Sequence, residues 1–367
     1  MQKTVIIGAG IIGCAIAFQL ARRGHAVTVL DAGGIGAGAS GRSFGWINAS
    51  FHLSEAHFRL RMEGITAHHR LAAQLPDAPT SWPGTLLFET QGEALAATEA
   101  DLARLGYPLQ RLTRAQIEAT VPALADPPAE ALLFPAEGAV DPAALARCLL
   151  AASGARLWRG VAVLGLVQRA GRVTGVQTAE GVVGADAVVV AAGTGSPALL
   201  APLGLDLPML TRPGLMLATR PLPPALPRIL VTPAGEIRQD GAGRILMPTA
   251  AGHQGDAAED VSGLAGAHAD RALAGLQALF PALALDWAEV ALAFRPVPGD
   301  GLPVIGPAAP GLWLAVMHSG ATLAAVAAER IAAEMDGGED QPILAPFRLS
   351  RFARSGADFC TKNCPRP

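Results

Sequence analysis

A chain of 367 residues with 51% hydrophobic positions is long enough for about two domains and can bury a sizeable core. Its net charge of −3 lacks the basic footprint of a nucleic-acid or anionic-membrane binder. Mean hydropathy is positive, yet the longest uncharged runs are broken by Gly193, Gly195, Pro197 and Pro202, or by Gly311, His318 and Gly320, so no transmembrane segment is predicted. The four cysteines form no framework for a small disulfide fold, and a reduced, cytoplasmic location is expected. Cys14 and Cys148 read as packing residues. Cys360 and Cys364 have no second pair or nearby histidine and read as part of an unstructured tail rather than a zinc site.

Thr4 to Ile7 predict a short buried strand running into Gly8-Ala9-Gly10-Ile11-Ile12-Gly13. A helical pattern from Ile12 to Arg23 closes at Gly24, and Val27 to Leu30 form a second strand that ends on Asp31. Three glycines at this spacing are a weak signal by themselves. With a strand before, a helix after and an acid eighteen positions beyond Gly13, they predict a dinucleotide site. Gly8 permits the tight turn, Gly10 lets a pyrophosphate approach the backbone, and Gly13 allows close helix–strand packing. The helix N-terminus supplies free N–H groups to the phosphates. Asp31 suits ribose hydroxyls and disfavours a 2′-phosphate, which argues for FAD or NAD over NADP. A secretory signal is not expected here, because the glycines weaken an apolar helix and no small-residue cleavage site precedes Arg22.

Gly33 to Gly41 are too glycine-rich for regular structure and suit a loop lying against a ligand. A helix is predicted from Ser54 to Leu75, stopped by Pro76. Its histidines His57, His68 and His69 lack carboxylates at metal-ligand spacing and read as surface or packing residues. Trp82 to Thr90 read as strand, Glu93 to Leu105 as helix, and Thr113 to Thr120 as a short helix with Thr113 and Gln116 placed as a capping box. Pro122, Pro127, Pro128 and Pro135 then break the chain, so this block reads as an insertion out of the first domain. Asp141 and Pro142 open a helix to about Ser153. Leu157 to Val167 and Arg172 to Thr178 are predicted to pair around Gly171, and Asp186 to Ala191 to form a strand buried on both faces. Leu215–Thr219, Ile229–Thr232, Glu236–Gln239 and Arg244–Met247 alternate like antiparallel strands, with a turn at Asp240-Gly241. His253 reads as a loop residue, and Asp260 to Leu279 as a helix.

Taken in this order, the motifs resemble the FAD-dependent D-amino-acid oxidase superfamily, which includes glycine oxidase, sarcosine oxidase and related dehydrogenases. The resemblance rests on residues 4 to 31, Ala39-Ser40-Gly41, Gly138-Ala139-Val140-Asp141-Pro142, Ala185-Asp186 through Ala191-Ala192-Gly193, Phe294-Arg295-Pro296, Asp300 to Gly306, and His318-Ser319-Gly320. It implies an α/β fold in which a Rossmann-like FAD-binding domain (residues 1–81, 135–207 and 292–350) is interrupted by an α+β substrate domain. That second domain (82–134 and 208–291) has a large antiparallel sheet covering the flavin, and 351–367 form a tail.

The resemblance also implies a set of site residues. The pyrophosphate falls to Gly8, Gly10, Ile12 and Gly13 and to the loop of Ala39, Ser40 and Arg42. Asp31 meets the ribose and the backbone near Val163 the adenine. Ala192, Gly193, Gly320, Ala321 and Thr322 neighbour the flavin, with the helix after Gly320 pointing its positive end at the pyrimidine ring. Arg295 stands where glycine oxidase holds its substrate carboxylate, a task suited to a planar guanidinium; the alternative is a structural ion pair. His318 is a candidate flavin or substrate contact, against a capping or packing role.

The implied reaction oxidises the C–N bond of an amino acid or N-alkyl amino acid by hydride transfer to flavin N5, giving an imine, with orientation supplying most of the catalysis. A 2-hydroxy-acid dehydrogenase and a flavin-binding subunit of a heteromeric dehydrogenase without turnover of its own stay open as alternatives. The oxygen-activating lysine of the sarcosine-oxidase group has no counterpart at Gly243-Arg244-Ile245-Leu246-Met247, since the only lysines are Lys3 and Lys362. This favours a dehydrogenase with a quinone or carrier as acceptor over an oxidase using oxygen. Covalent attachment points of relatives fall near Ala293 and Arg42, so the FAD is expected to be non-covalent. Tyr107, the only tyrosine, can serve the substrate only if its segment reaches the site.

Overall fold

Lys3–Ile7 is a strand, Ile11–Arg22 a helix, and Ala26–Asp31 a second strand lying parallel to the first, as the opening periodicity predicts. The computed structural model describes residues 1–249, 265–338 and 341–353. His253, Asp260 to Leu264, Cys360 and Cys364 lie outside the described residues.

The opening strands form the centre of a six-stranded sheet in the order Val304–Ala309, Leu312–Val316, Ala187–Val190, Lys3–Ile7, Ala26–Asp31, Arg156–Arg159. All neighbours are parallel except the Val304–Ala309 edge pair. Every residue of Ala187–Val190 is buried, as its two-sided apolar pattern requires. The Ile11–Arg22 helix packs between the helices Pro142–Ser153 and Gly320–Met335. Asp141 caps the former, accepting from the Ala143 and Ala144 N–H groups at 2.9 Å, with Pro142 at the first helical position.

The expected strand Leu157–Val167 is two strands with different partners. Arg156–Arg159 joins the parallel sheet beside Ala26–Asp31, and only Gly165–Arg169 pairs with Arg172–Thr178, in a separate sheet completed by Gly181–Gly184. The break falls at Gly160 (φ +78°), where the N–H groups of Gly160 and Val161 both donate to the Asp31 carbonyl.

A second large sheet of eight strands runs Trp287–Pro298, Met209–Thr219, Ile245–Thr249, Gly235–Gln239, Ile229–Thr232, Thr85–Leu87, Glu130–Phe134, Gln110–Thr113. It is antiparallel apart from one pair, Ile229–Thr232 with Thr85–Leu87, where strands from two distant chain segments meet. The predicted strand Trp82–Thr90 shrinks to Thr85–Leu87, because Pro83 and Gly84 (φ +73°) separate it from Thr80–Ser81. Thr80–Ser81 pairs instead with Gly138–Val140, which also pairs with Trp46–Ile47. The strand Trp287–Pro298 continues through position 292 without a break.

One face of the eight-stranded sheet carries Leu215, Leu217, Ile237, Ile245 and Met247, packed on Leu276 and Phe280 of and beside the helix Ala265–Leu279. The opposite face presents Met216, Ala218 and Leu246 to Phe44, Trp46 and Ala139. This second face therefore lies over Phe44 and Trp46, just beyond the glycine-rich loop of the first sheet. Ser350–Ala353 is helical and packed rather than tail-like: Arg351 donates to both carboxylate oxygens of Asp300, and Phe352 is buried. No helix among the described residues is long and apolar enough to cross a membrane.

Candidate active site

The glycine turn is shaped by contacts that a side chain would destroy. A Cβ on Gly8 (φ +109°) would lie 2.4 Å from the Ala191 carbonyl oxygen, and one on Gly13 only 1.9 Å from the Gly8 oxygen. Gly10 is different: a Cβ there would meet only Ser40 Oγ at 3.2 Å, so its bare edge faces an open approach. Ser40 accepts from the Ile11 N–H at 3.0 Å, and the rest of the helix's first turn has no partner within the helix. Ala39, Ser40 and Arg42 form one short turn, fastened where Arg42 donates to the Ala37 carbonyl at 2.8 Å.

Asp31 organises this cradle from the far side. Its carboxylate accepts from the N–H groups of Ala9 (2.8 Å), Gly33 (2.7 Å) and Gly34 (2.6 Å). A carboxylate has about four acceptor sites, so capacity is left for a hydroxyl. Val163 lies in the segment after Arg156–Arg159, partly buried and packed, as Val161 is, against the core that includes Val5, Ile7 and Leu30. Ala192 and Gly193 follow the central strand, and Gly193 (φ +57°) lies 3.9 Å, measured from a built Cβ, from Pro296 of the Arg295-Pro296 pair. A glycine-lined cradle, free helix N–H groups and an acid with spare acceptor capacity fit a dinucleotide pyrophosphate and ribose.

Two helix starts converge beside that cradle. A Cβ on Gly320 would stand 3.6 Å from Ile11 and from Ile12, so the Gly320–Met335 helix begins against the glycine-motif helix. Its first turn is tied by its neighbours. His68 Nε2–H donates to the Ala321 carbonyl at 2.7 Å, and the Thr322 hydroxyl donates to the Trp46 carbonyl and accepts from the Asn48 N–H, each at 3.2 Å. The Thr322 side chain is therefore consumed by protein, leaving Gly320 and Ala321 as the open part of that turn.

Arg61, absent from the sequence-predicted residues, fixes the loop opposite. It donates to the Asn48 carbonyl at 3.0 Å, to the Asn48 side-chain oxygen and to Ser319 Oγ. Burial lowers its pKa to about 10, opposed by the charge of Glu137, so it stays cationic at neutral pH. Glu137 is fully buried and collects four donors: Trp46 Nε1 (2.9 Å), Ser50 Oγ (2.6 Å), Ser50 N–H (3.3 Å) and the Tyr107 hydroxyl (2.6 Å). Burial pushes its pKa up while those donors pull it down. Tyr107 reaches the site only from behind, because its hydroxyl is spent on Glu137 and on the Ala49 N–H.

Arg295 and His318 are linked electrostatically, the charge of Arg295 being felt at the His318 ring. Arg295 is partly buried, and desolvation followed by the charge of Arg212 lowers its pKa, with Glu236 opposing. His318 keeps part of its surface open. Desolvation, then the charges of Arg295, Arg61 and Arg212, depress its pKa to about 3, so it is neutral at physiological pH. His57 is buried and likewise lowered to about 3, whereas His69 stacks on Trp82 at 3.9 Å, a packing role as expected.

The sequence signal for Arg61 was its position. Phe58, Arg61, Ile65 and His68 lie on one buried stripe of the helix Glu55–Gln74, where two polar residues among apolar ones mark a built interaction. Glu137 and Arg212 carried no such local signal.

The model of the family described as FAD dependent oxidoreductase (DAO) matches residues 3–334. A glycine oxidase of Pseudomonas aeruginosa is 30% identical, over 94% of this chain and 97% of the relative. A D-amino acid dehydrogenase of Rhizobium johnstonii is 29% identical over 96% of this chain and all of its own length. The solved structure of glycine oxidase from Geobacillus kaustophilus superposes with a TM-score of 0.83 at 27% identity, covering 96% of this chain and 99% of that one. Family match, mixed α/β architecture and glycine cradle agree: the chain belongs to the FAD-dependent oxidoreductases of the D-amino-acid oxidase superfamily, and its cofactor is FAD.

Proposed function

We propose that this chain oxidises the C–N bond of an amino acid or N-alkyl amino acid, giving an imine. The observation that carries the reading is the pose of Arg295. Its Nε–H and Nη2–H donate backwards to the carbonyls of Arg212 (3.4 Å) and Pro213 (3.2 Å), which fixes the guanidinium plane. Its outer edge, Nη1 and the second Nη2–H, is left to take a carboxylate in two parallel charged hydrogen bonds. Among the described residues no carboxylate forms an ion pair with Arg295, which favours a ligand role over a structural one. The named relatives, a glycine oxidase and a D-amino acid dehydrogenase, support an amino-acid substrate.

Bound FAD would supply the hydride acceptor. Gly8, Gly10, Ile12, Gly13, Ala39, Ser40 and Arg42 would hold its pyrophosphate, Asp31 its ribose and the backbone near Val163 its adenine. Ala192, Gly193, Gly320, Ala321 and the backbone of Thr322 would border the ring. Attachment is non-covalent, since neither Ala293 nor Arg42 can form the bond. The positive charges of Arg212 and Arg61 disfavour an ammonium ion, so the substrate nitrogen is held neutral with its lone pair available. Neutral His318 offers that nitrogen one N–H and one lone pair without adding charge. Orientation by Arg295 then places the α-hydrogen.

The electron acceptor is a quinone or protein carrier rather than oxygen. Arg244, in the stretch where an oxygen-activating lysine would fall, is locked to Asp240 at 2.8 Å across its own turn. The FAD-binding domain draws on residues 1–81, 135–207 and 292–350 and the substrate domain on the two intervening segments, with the unbroken strand Trp287–Pro298 of the eight-stranded sheet crossing the boundary at 292. A cytoplasmic setting accords with Cys14 and Cys148 being free thiols.

Anaerobic addition of amino acids to the holoprotein is expected to bleach its flavin absorbance, and Arg295→Lys to lower kcat/KM by roughly 100-fold or more through loss of the paired charged bonds. Bleaching by 2-hydroxy acids alone would overturn the amine reading. Slow recovery in air is expected, and recovery as fast as turnover would assign an oxidase.

A further inference from the structure

We infer that Asn48 is a contact of the flavin ring, its side-chain N–H donating to an acceptor in the pyrimidine half, and that Arg61 is the positioning residue that aims it. This rests on the reading that sets the ring at the start of the Gly320–Met335 helix.

Asn48 follows the short strand Trp46–Ile47 and is only 4% exposed. The main chain here is fastened residue by residue. The Asn48 N–H donates to the Thr322 hydroxyl at 3.2 Å, which ties it to the first turn of the helix. The next two N–H groups, of Ala49 and Ser50, donate to the Tyr107 hydroxyl at 3.4 Å and to Glu137 Oε1 at 3.3 Å. A side chain on so fixed a backbone has few directions left.

Arg61 selects among them. One edge of its guanidinium clasps both oxygens of Asn48, Nε–H donating to the carbonyl at 3.0 Å and Nη2–H to Oδ1, while Nη1–H donates to Ser319 Oγ. A guanidinium has donors and no acceptor, so the amide atom that meets it is the oxygen. Nδ2 is thereby turned away from Arg61. Its polar neighbours in the loop are all used, Trp46 Nε1 on Glu137 and Thr85, and Ser50 Oγ on Glu137. Nδ2 has no partner among the described residues, nor is it sealed within the protein.

A pair of N–H donors is therefore left open beside the helix start. A largely buried donor is costly while nothing accepts from it. The pyrimidine half of a flavin supplies two carbonyl oxygens and gains negative charge on reduction, so an N–H aimed there stabilises the reduced ring more than the oxidised one. Arg61 acts by direction. A lysine in its place keeps the charge and loses the paired bonds that fix the amide.

The midpoint potential of the holoprotein, measured by anaerobic equilibration against a reference dye, tests this without substrate turnover. Asn48→Leu is expected to shift the equilibrium about tenfold towards the oxidised ring, a fall of about 30 mV for a two-electron couple. Asn48→Asp keeps the shape and the Arg61 contact while removing the donor; it is expected to lower the potential further, and carries the test if the leucine variant does not fold. Arg61→Lys is expected to lower the potential as Asn48→Leu does, with the double variant no lower than Asn48→Leu by itself. Additive effects would overturn the role given to Arg61. Retained flavin content and thermal midpoint in the Asn48 variants exclude general damage. A potential above that of free FAD, and equal in the unaltered chain and Asn48→Leu, means that the helix start acts on the ring without the amide: the Asn48 assignment falls and the ring placement stands. A potential equal to that of free FAD in both removes the ring placement as well. An unchanged potential with a raised KM for the amino acid gives the amide to the substrate and overturns the assignment.

Discussion

His68 is 1% exposed and gives its single N–H to the Ala321 carbonyl. Burial, its largest influence, lowers its pKa to about 4. In the unfolded chain the ring titrates near 6.5, so between those values the unfolded state binds more protons. The stability linked to His68 is complete above pH 6.5 and is lost as the pH falls towards 4. Urea unfolding at pH 7.5 and 4.5 is expected to show a smaller loss for His68→Gln, which keeps a donor and removes the titration, than for the unaltered chain. Equal losses would refute the assignment. The packing role of this histidine was legible in the sequence, whereas its partner was not, because Ala321 lies 253 positions away. Arg61 follows the same rule. Its place on a buried stripe was readable, but Asn48 and Ser319 become its partners only when the Glu55–Gln74 helix crosses the start of the Gly320–Met335 helix.

Among whole elements, the glycine motif separates two demands that a sequence pattern merges. A methyl on Gly13 collides with the Gly8 carbonyl, the contact that lets helix and strand touch, whereas a methyl on Gly10 meets only the Ser40 hydroxyl. Gly13→Ala is expected to lower the thermal midpoint of the apoprotein, since forced overpacking costs about 1–3 kcal/mol, and to lower its flavin content as well. Gly10→Ala is expected to leave the apoprotein midpoint nearly unchanged while weakening FAD binding. Thermal unfolding beside flavin content checks both. Elements set by local chemistry were legible: the Asp141-Pro142 start and the Thr113–Gln116 capping box form as their residues specify. The division of Leu157–Val167 was not. Alternating apolar residues declare a strand without naming its partner, and Arg156–Arg159 finds its partner in Ala26–Asp31, more than a hundred residues earlier.

Across the whole molecule, Arg238 fastens the eight-stranded sheet to the cradle. It is buried, donates to the carbonyls of Phe44 and Val140, and lies 5.5 Å from the Phe44 ring centroid. Arg238→Met would leave those carbonyls without their donor, at about 1–3 kcal/mol each. The variant is expected to unfold at lower urea concentration and to bind FAD more weakly. An unchanged FAD affinity would show that the two sheets are joined by other contacts. Phe44 and Arg238 are separated by 194 positions, so the fastening is written in topology and not in any local pattern.

The start of the Gly320–Met335 helix is held by His68, Arg61, Asn48 and the Trp46 carbonyl, all belonging to other parts of the chain. A dipole anchored in this way cannot swing to follow charge as it appears, and has no need to. Its field is settled when the chain folds, so under the proposed placement of the flavin ring at this turn the reacting pair would meet an environment already polarised for the product, with little reorganisation energy in the barrier.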